Sequence, residues 1–448
     1  MKRDDCPGNA MQLEGAGAKP VGRKRIFYGW WVVLANAAIT FYVAGTYFYG
    51  FGAFVNPLKQ AFGWSTAQVS LAFSLRSAEA GPIAPLAGYL VDRFGARPSV
   101  VVGVCLMGLG FLLLSWMNSL LTFYLFYLVL ALGASICAGV LPMTNISNWF
   151  IRKRGKALGF YTAGAGLSGL LVPIVTWLLV RYDWSTVLVM MAIGMLAVGL
   201  PLARVLRHRP EKYGMLPDGD EKPPEEDVPQ KHQDIEGLSV RQALKERSFW
   251  LLTLTFLMSM APLNAVAIFI IPYLTDAKEE HGLALAGAMA GAAVMIMTLT
   301  SLIGRFGFGW LADYYRPRYI LTGLFVLQAA GLAILASVTS MWHLVPFFIL
   351  FAASYGGIIA VRPVILAQYF GRQALGMIQG VSMAMMTVGG VLTPLLVGFF
   401  RDTTGGYRWP FLVLALLMLV AIPLLLIARP PRGVPEVTVP ARGTETFL

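Results

Sequence analysis

Four ionisable residues stand inside otherwise apolar stretches of this sequence: Arg76, Glu79, Arg305 and Arg362. A guanidinium presents its donors as a planar fork, so it can take a carboxylate through two parallel hydrogen bonds. Arg305 is therefore the leading anion-binding candidate, and Arg362 is either a second clamp or a group that holds an inner gate. Arg76 and Glu79 lie three residues apart, on one helix face and close enough to pair. That pair is either a structural ion pair or a cavity-facing one that binds substrate or a proton. Glu79 is the only acid within these stretches, which makes it the proton-coupling candidate. The three arginines outnumber it, and a small organic anion would neutralise the surplus. Aromatics of the first span (Tyr42, Tyr47, Phe48, Tyr49, Phe51) and Tyr355 either wall a cavity or pack against lipid and core; Tyr47 and Tyr355 lead among them, since a phenol offers a donor on an apolar wall. Asn145 and Gln379, with Asn264, either line a path or hydrogen-bond between helices.

The elements that carry these residues follow from composition. Of 448 residues 57% are hydrophobic and 13% charged, against about 25% charged in soluble domains. This excludes a soluble enzyme, a nucleic-acid-binding domain and a disordered chain. Three cysteines (Cys6, Cys105, Cys137) and four scattered histidines show no ligand spacing, so neither metal nor cofactor is expected. GxxxxGK[ST], HExxH and GxSxG do not occur, which argues against ATP drive and against an intramembrane enzyme.

A membrane helix needs about 20 apolar residues. Charge-free runs cover 26–58, 60–75, 98–151, 157–180, 184–203, 248–275, 282–304, 319–361, 373–400 and 409–428. The second run continues past Arg76 and Glu79 to residue 91. The third and eighth are long enough for hairpins, broken at Met117-Asn118-Ser119 and near 337–342, so twelve spans are expected in an all-α membrane protein. With both termini cytoplasmic, 27 of the 35 Lys and Arg residues fall in cytoplasmic segments and 5 in outer ones. That bias sets the orientation. The basic charge then faces anionic lipid of the inner leaflet, and no nucleic-acid partner is needed. No cleavable leader is expected, since the first 25 residues are polar.

The stretch from Arg204 to Arg247 holds 9 basic and 10 acidic residues and five prolines, so it reads as a linker. The expected units are a cytoplasmic tail (1–25), a six-helix bundle (26–206), a linker (207–247), a second bundle (248–429) and a tail (430–448). The halves echo one another. Gly88-x3-Asp92 recurs as Gly309-x3-Asp313, and Gly169-x3-Pro173 recurs as Gly390-x3-Pro394, each shifted by 221. Six spans per half give parallel repeats about an axis normal to the membrane, with a cavity between them.

Gly88-Tyr-Leu-Val-Asp92-Arg93-Phe-Gly95-Ala-Arg97 resembles the loop signature of the major facilitator superfamily, and Gly309-Trp-Leu-Ala-Asp313 its second copy. The fifth span (Gly159, Gly164, Gly166, Gly169, Pro173) is similar to that superfamily's glycine/proline motif. Phe62-Gly-Trp64-Ser65, Arg209-Pro-Glu-Lys-Tyr-Gly214 and Gly304-Arg305-x3-Gly309 resemble its oxalate/formate antiporter and monocarboxylate porter group. The resemblance implies two six-helix bundles and a substrate-binding role for Arg305, four residues before the glycine. Asp92 and Asp313 each end an even-numbered span beside basic loop residues, so Gly88, Asp92, Arg93, Gly309 and Asp313 are expected to act in gating. Ser301 stands where that group often has an aspartate, the first span has no lysine, and 373–400 has no basic residue. The expected function is secondary transport of a small mono- or dicarboxylate by alternating access, in a monomer of the inner membrane. A proton or counter-anion is the expected coupled partner. The alternatives are an exporter of neutral or cationic compounds and a sensor that binds ligand without moving it.

Overall fold

The computed structural model describes residues 27–431 apart from 139, 151–152, 220–237, 277–284, 313 and 372–374. The long helices are α1 (Tyr28–Phe62), α2 (Thr66–Phe94), α3 (Ala96–Ser115), α4 (Leu120–Trp149), α5 (Gly155–Arg181) and α6 (Trp184–Val205). They continue as α7 (Arg247–Thr275), α8 (Gly287–Leu311), α9 (Pro317–Ala336), α10 (Met341–Phe370), α11 (Leu375–Thr404) and α12 (Arg408–Ile427). Among the described residues, eleven of these are long and apolar enough to cross a membrane. The exception is α2. It has 29 residues, but Ser70, Ser74, Arg76, Ser77 and Glu79 dilute its apolar content.

Two helices depart from regular α geometry where the site forms. Ala44–Tyr49 of α1 is π-helical and Phe348–Ala352 of α10 likewise. A π turn widens the helix by one residue and is commonly found at functional sites. The first is followed by a 3₁₀ segment, Gly50–Phe54. There a Cβ at Gly52 would lie 2.5 Å from the Ile268 carbonyl oxygen of α7.

The beginning and end of each half lie at one end of the molecule. The Tyr28 hydroxyl donates to the Val205 carbonyl at 2.9 Å, and that of Tyr369 to the Ala428 carbonyl at 3.0 Å. Both parts of the linker that are described attach at this end. The Arg207 guanidinium lies between the Tyr28 and Tyr213 rings, 4.0 and 4.3 Å from their centres. A short helix, Val240–Lys245, starts in a capping box at Ser239 and Gln242, and the Leu238 amide donates to Phe370 O at 2.8 Å.

The two halves meet toward the opposite end. Asp402 of α11 accepts the Thr66 amide at 3.1 Å and the Ala67 amide at 2.8 Å, so it caps α2 across the interface. Ser74 Oγ donates to Val391 O at 2.6 Å, and Asn56 Nδ2 to Thr275 Oγ1 at 3.0 Å. Glycines allow the close approach. A Cβ on Gly390 would sit 2.9 Å from Ser77 Oγ, and one on Gly169 would collide with Thr298 Oγ1. Ser77 and Thr298 are themselves 221 residues apart, as are Gly169 and Gly390, so the interface repeats with the sequence. Phe160, Phe306 and Met383, nearer the linker end, are exposed.

Inside the second half α8 and α10 pack backbone against backbone. A Cβ on Gly304 would collide with the Ala353 carbonyl, and one on Gly356 with that of Ser301 while lying 3.0 Å from the Arg305 amide. Gly356→Ala should therefore cost about 1–3 kcal/mol of stability, as overpacking does. Gly307→Ala, which meets open space, should cost nothing; thermal unfolding of the purified variants compares the two. Loss of a helix cap is worth about 1 kcal/mol, so Asp402→Ala should loosen the seal at the end opposite the termini. Spin labels at positions 183 and 404 should report a longer or broader distance distribution, and an unchanged one would show that the cap does not hold the halves.

Candidate functional site

Arg305 sits where the two halves meet. The close packing of α8 on α10 fixes its backbone, and its guanidinium reaches across to α5, where Nη1 donates to the Thr162 carbonyl at 3.4 Å. Its Nε has no hydrogen-bond partner. The guanidinium carbon lies 6.0 Å from the centre of the Tyr355 ring, and the Tyr355 hydroxyl lies 3.4 Å from that of Tyr49 on α1. Groups from both halves thus converge on one cation that retains free donors.

Tyr49 is the phenol of α1 that meets Tyr355. Tyr47, the leading α1 candidate, lies beside Arg76 and Tyr127. Both lie in the π-helical segment Ala44–Tyr49, and side chains two positions apart on a helix face different neighbours. Tyr49 is one of the first-span aromatics offered as a cavity wall, behind Tyr47, and Thr162 is the site member that residue type and spacing do not single out. Thr162 contributes a backbone atom, for which a sequence carries no signal.

The expected Arg76–Glu79 pair does not form. Arg76 turns toward α1, with its guanidinium carbon 4.7 Å from the Phe48 ring centre, 5.4 Å from Tyr47 and 5.9 Å from Phe73 of its own helix. Each such contact of a cation with an aromatic face is worth about 0.5–2 kcal/mol. Nη1 of Arg76 nonetheless has no hydrogen-bond partner. Glu79 turns toward α4, where its Oε1 accepts from Ser135 Oγ at 2.7 Å and its Oε2 is unpartnered. Two competing sets of partners on different neighbours separate side chains that a single helix would have let meet.

The remaining candidates have other neighbours. Arg362 of α10 donates from Nη1 to the thioether of Met386 on α11 at 3.5 Å, which is a weak, neutral acceptor. Asn145 is fully buried in α4, and neither end of its amide has a partner. Gln379 is half-buried on α11. Arg93 is exposed, donating to the Tyr89 hydroxyl and lying against the rings of Tyr89 and Phe94. Gly309 faces Ala360 of α10. Asp313 and the side chains of Gly88 and Asp92 lie outside the described residues. A groove of about 420 Å³ between α8 and α10, lined by Met289, Ile296, Met341 and Phe348 among others, contains none of the four charged candidates.

Three of the four fifth-span glycines permit close packing, while a Cβ on Gly159 would meet open space. Gly166 and Gly169 lie against Leu302 and Thr298 of α8, and Gly164 against the Ala37 carbonyl of α1. They let α5 approach both neighbours, and the α8 contact is the surface across which Arg305 reaches Thr162.

Solved structures share this fold. A bacterial homologue of the human lysosomal transporter Spinster, inward-facing and unoccupied, superposes with a TM-score of 0.69 at 16% identity, over 91% of this chain and 98% of that one. A D-xylose–proton symporter gives 0.67 at 16% identity, over 92% and 99%. Among curated sequences, an MFS-type transporter of Bacillus subtilis, YcxA, described as uncharacterized, is 25% identical over 377 residues, covering 80% of this chain and 85% of the relative. Monocarboxylate transporter 11 of Mus musculus is 28% identical over 413 residues (88% and 86%), and monocarboxylate transporter 12 of Xenopus laevis 26% over 363 (77% of each). The family model of the Major Facilitator Superfamily matches residues 37–298 and 263–446. The chain is a multi-pass membrane transporter of the Major Facilitator Superfamily, with a resemblance to its monocarboxylate porters.

Proposed function

We propose that the protein moves a small organic carboxylate across the plasma or inner membrane by alternating access, with Arg305 as the main ligand. The observation that carries this reading is the Arg305 guanidinium at the meeting of the halves, with Nε unpartnered and Nη1 on a long bond to a neutral carbonyl. A carboxylate taken in bidentate fashion would supply shorter, charge-assisted hydrogen bonds. The Tyr49 and Tyr355 hydroxyls stand ready as further donors. The likeness to monocarboxylate transporters supports the substrate class.

With both termini cytoplasmic, and α2 counted as a span, the described arrangement is closed outward. The contacts of α2 with α11 and of α5 with α8 are then the surfaces that open and close. Because Arg305 bonds to α5 across that boundary, a ligand that takes over its donors would release one tie between the halves. Glu79, turned from Arg76 and held by a single serine hydroxyl, is the group we assign to proton coupling.

Arg305→Gln should lower carboxylate uptake into proteoliposomes about 10- to 100-fold, the equivalent of losing hydrogen bonds to a charged partner. The variant should keep the elution profile and unfolding temperature of the parent. Uptake that persists unchanged would remove Arg305 from the site, and uptake of amines in place of acids would replace the anion reading with that of a cation exporter. Glu79→Gln should leave ligand binding in place while abolishing the stimulation of uptake by an imposed proton gradient; retained stimulation would place the coupling elsewhere.

A further inference from the structure

A second guanidinium in the interior has no counter-charge, and its surroundings differ from those of Arg305. Arg76 is 7% exposed and is held by the faces of Tyr47, Phe48 and Phe73. It makes no ion pair among the described residues, and its Nη1 is without a hydrogen-bond partner. The nearest acid in sequence, Glu79, is engaged by Ser135. Aromatic faces stabilise a cation and orient it, and the Tyr127 hydroxyl is a neutral partner, yet none of these groups supplies a counter-charge. A buried donor left unpartnered costs about 1–3 kcal/mol, more when charged.

The surroundings of the two cations are continuous. Phe48, over which Arg76 lies, packs edge-on against Tyr49 with ring centres 4.9 Å apart. The Tyr49 hydroxyl meets that of Tyr355, and Tyr355 lies beside Arg305. One run of aromatic side chains from α1 and α10 therefore joins the guanidinium of the first half to that of the second. Such a run can wall the apolar middle of a ligand, with one donor fork beyond each end.

Resting on the carboxylate reading above, we infer that the preferred ligand carries two anionic groups separated by an apolar spacer. Arg305 takes one group and Arg76 the other. Arg76 is thus a specificity-determining residue that selects a diacid over the monoacid of equal length. The spacer length preferred by the site reports the separation of the two forks when a ligand spans them.

Isothermal titration of the purified full-length protein with malonate, succinate, glutarate and adipate, each beside its matched monoacid, tests this. At least one diacid should bind about 10- to 100-fold more tightly than its monoacid partner, since it gains a second set of hydrogen bonds to a charged group. Arg76→Gln should bring that ratio to near one while leaving monoacid affinity within about threefold, and Arg305→Gln should weaken both. Arg76→Lys, which keeps the charge and loses the fork, should fall between. Monoacids binding as tightly as diacids to the parent protein would overturn the inference without need of any variant. So would a diacid preference that survives in Arg76→Gln. If every acid fails to bind while amines or neutral solutes do, the carboxylate reading falls and this inference with it; acids that bind with no second-charge preference overturn this inference alone.

Discussion

A guanidinium placed in a bilayer must find its partners within the protein, because hydrocarbon offers neither acceptors nor counter-charge. That requirement shapes the interior of this transporter. Each of its three intramembrane arginines is met by groups that are polarisable or neutral: aromatic faces around Arg76, a backbone carbonyl for Arg305, a thioether for Arg362. Such partners make the charge tolerable and leave its donors incompletely used. A salt bridge would have satisfied them fully and closed the site. The glycine contacts of α8 with α10 and with α5 complete the arrangement, since they hold the Arg305 backbone close to both neighbours.

The interface between the halves is built from short side chains and glycines, and its polar contacts are few. Asp402 on the α2 terminus, Ser74 on a carbonyl and Asn56 on Thr275 tie the halves at the end opposite the termini. Each is a single hydrogen-bonding group, worth about 1 kcal/mol net. Contacts of that size can be broken and replaced by equivalent ones elsewhere without a large barrier. Large interdigitating side chains at Gly166, Gly169 or Gly390 would have fixed the halves in one position.

Most of the architecture was legible in the sequence. Long charge-free runs, the basic loops and the 221-residue echo lead to helices in two related halves, because hydrocarbon thickness and duplicated packing both leave marks in residue order. The site was legible only in part. Arg305 and Tyr355 stand out in the sequence because an arginine in an apolar run is costly and a phenol there is useful, and the fold brings the two to within 6.0 Å. Tyr47 was placed ahead of Tyr49, since both are phenols of one helix and residue type alone does not tell which of them meets Tyr355. The pairing of Arg76 with Glu79 failed for a different reason: spacing shows that two side chains can meet, and the aromatic residues of α1 and Ser135 of α4 decided that they do not. The cap supplied by Asp402 joins residues more than 330 positions apart, beyond the reach of any local pattern.

The interface repeats with the sequence, but the charges do not. At the positions displaced by 221 from Arg76, Glu79, Arg305 and Arg362 stand Met297, Thr300, Ala84 and Leu141. The scaffold is therefore nearly two-fold about an axis through its centre, and rotation about that axis exchanges one half for the other. The electrostatic field inside obeys no such symmetry. On the proposed reading, a solute held there is oriented by which half supplies which cation, and that orientation is the same whichever mouth it entered by.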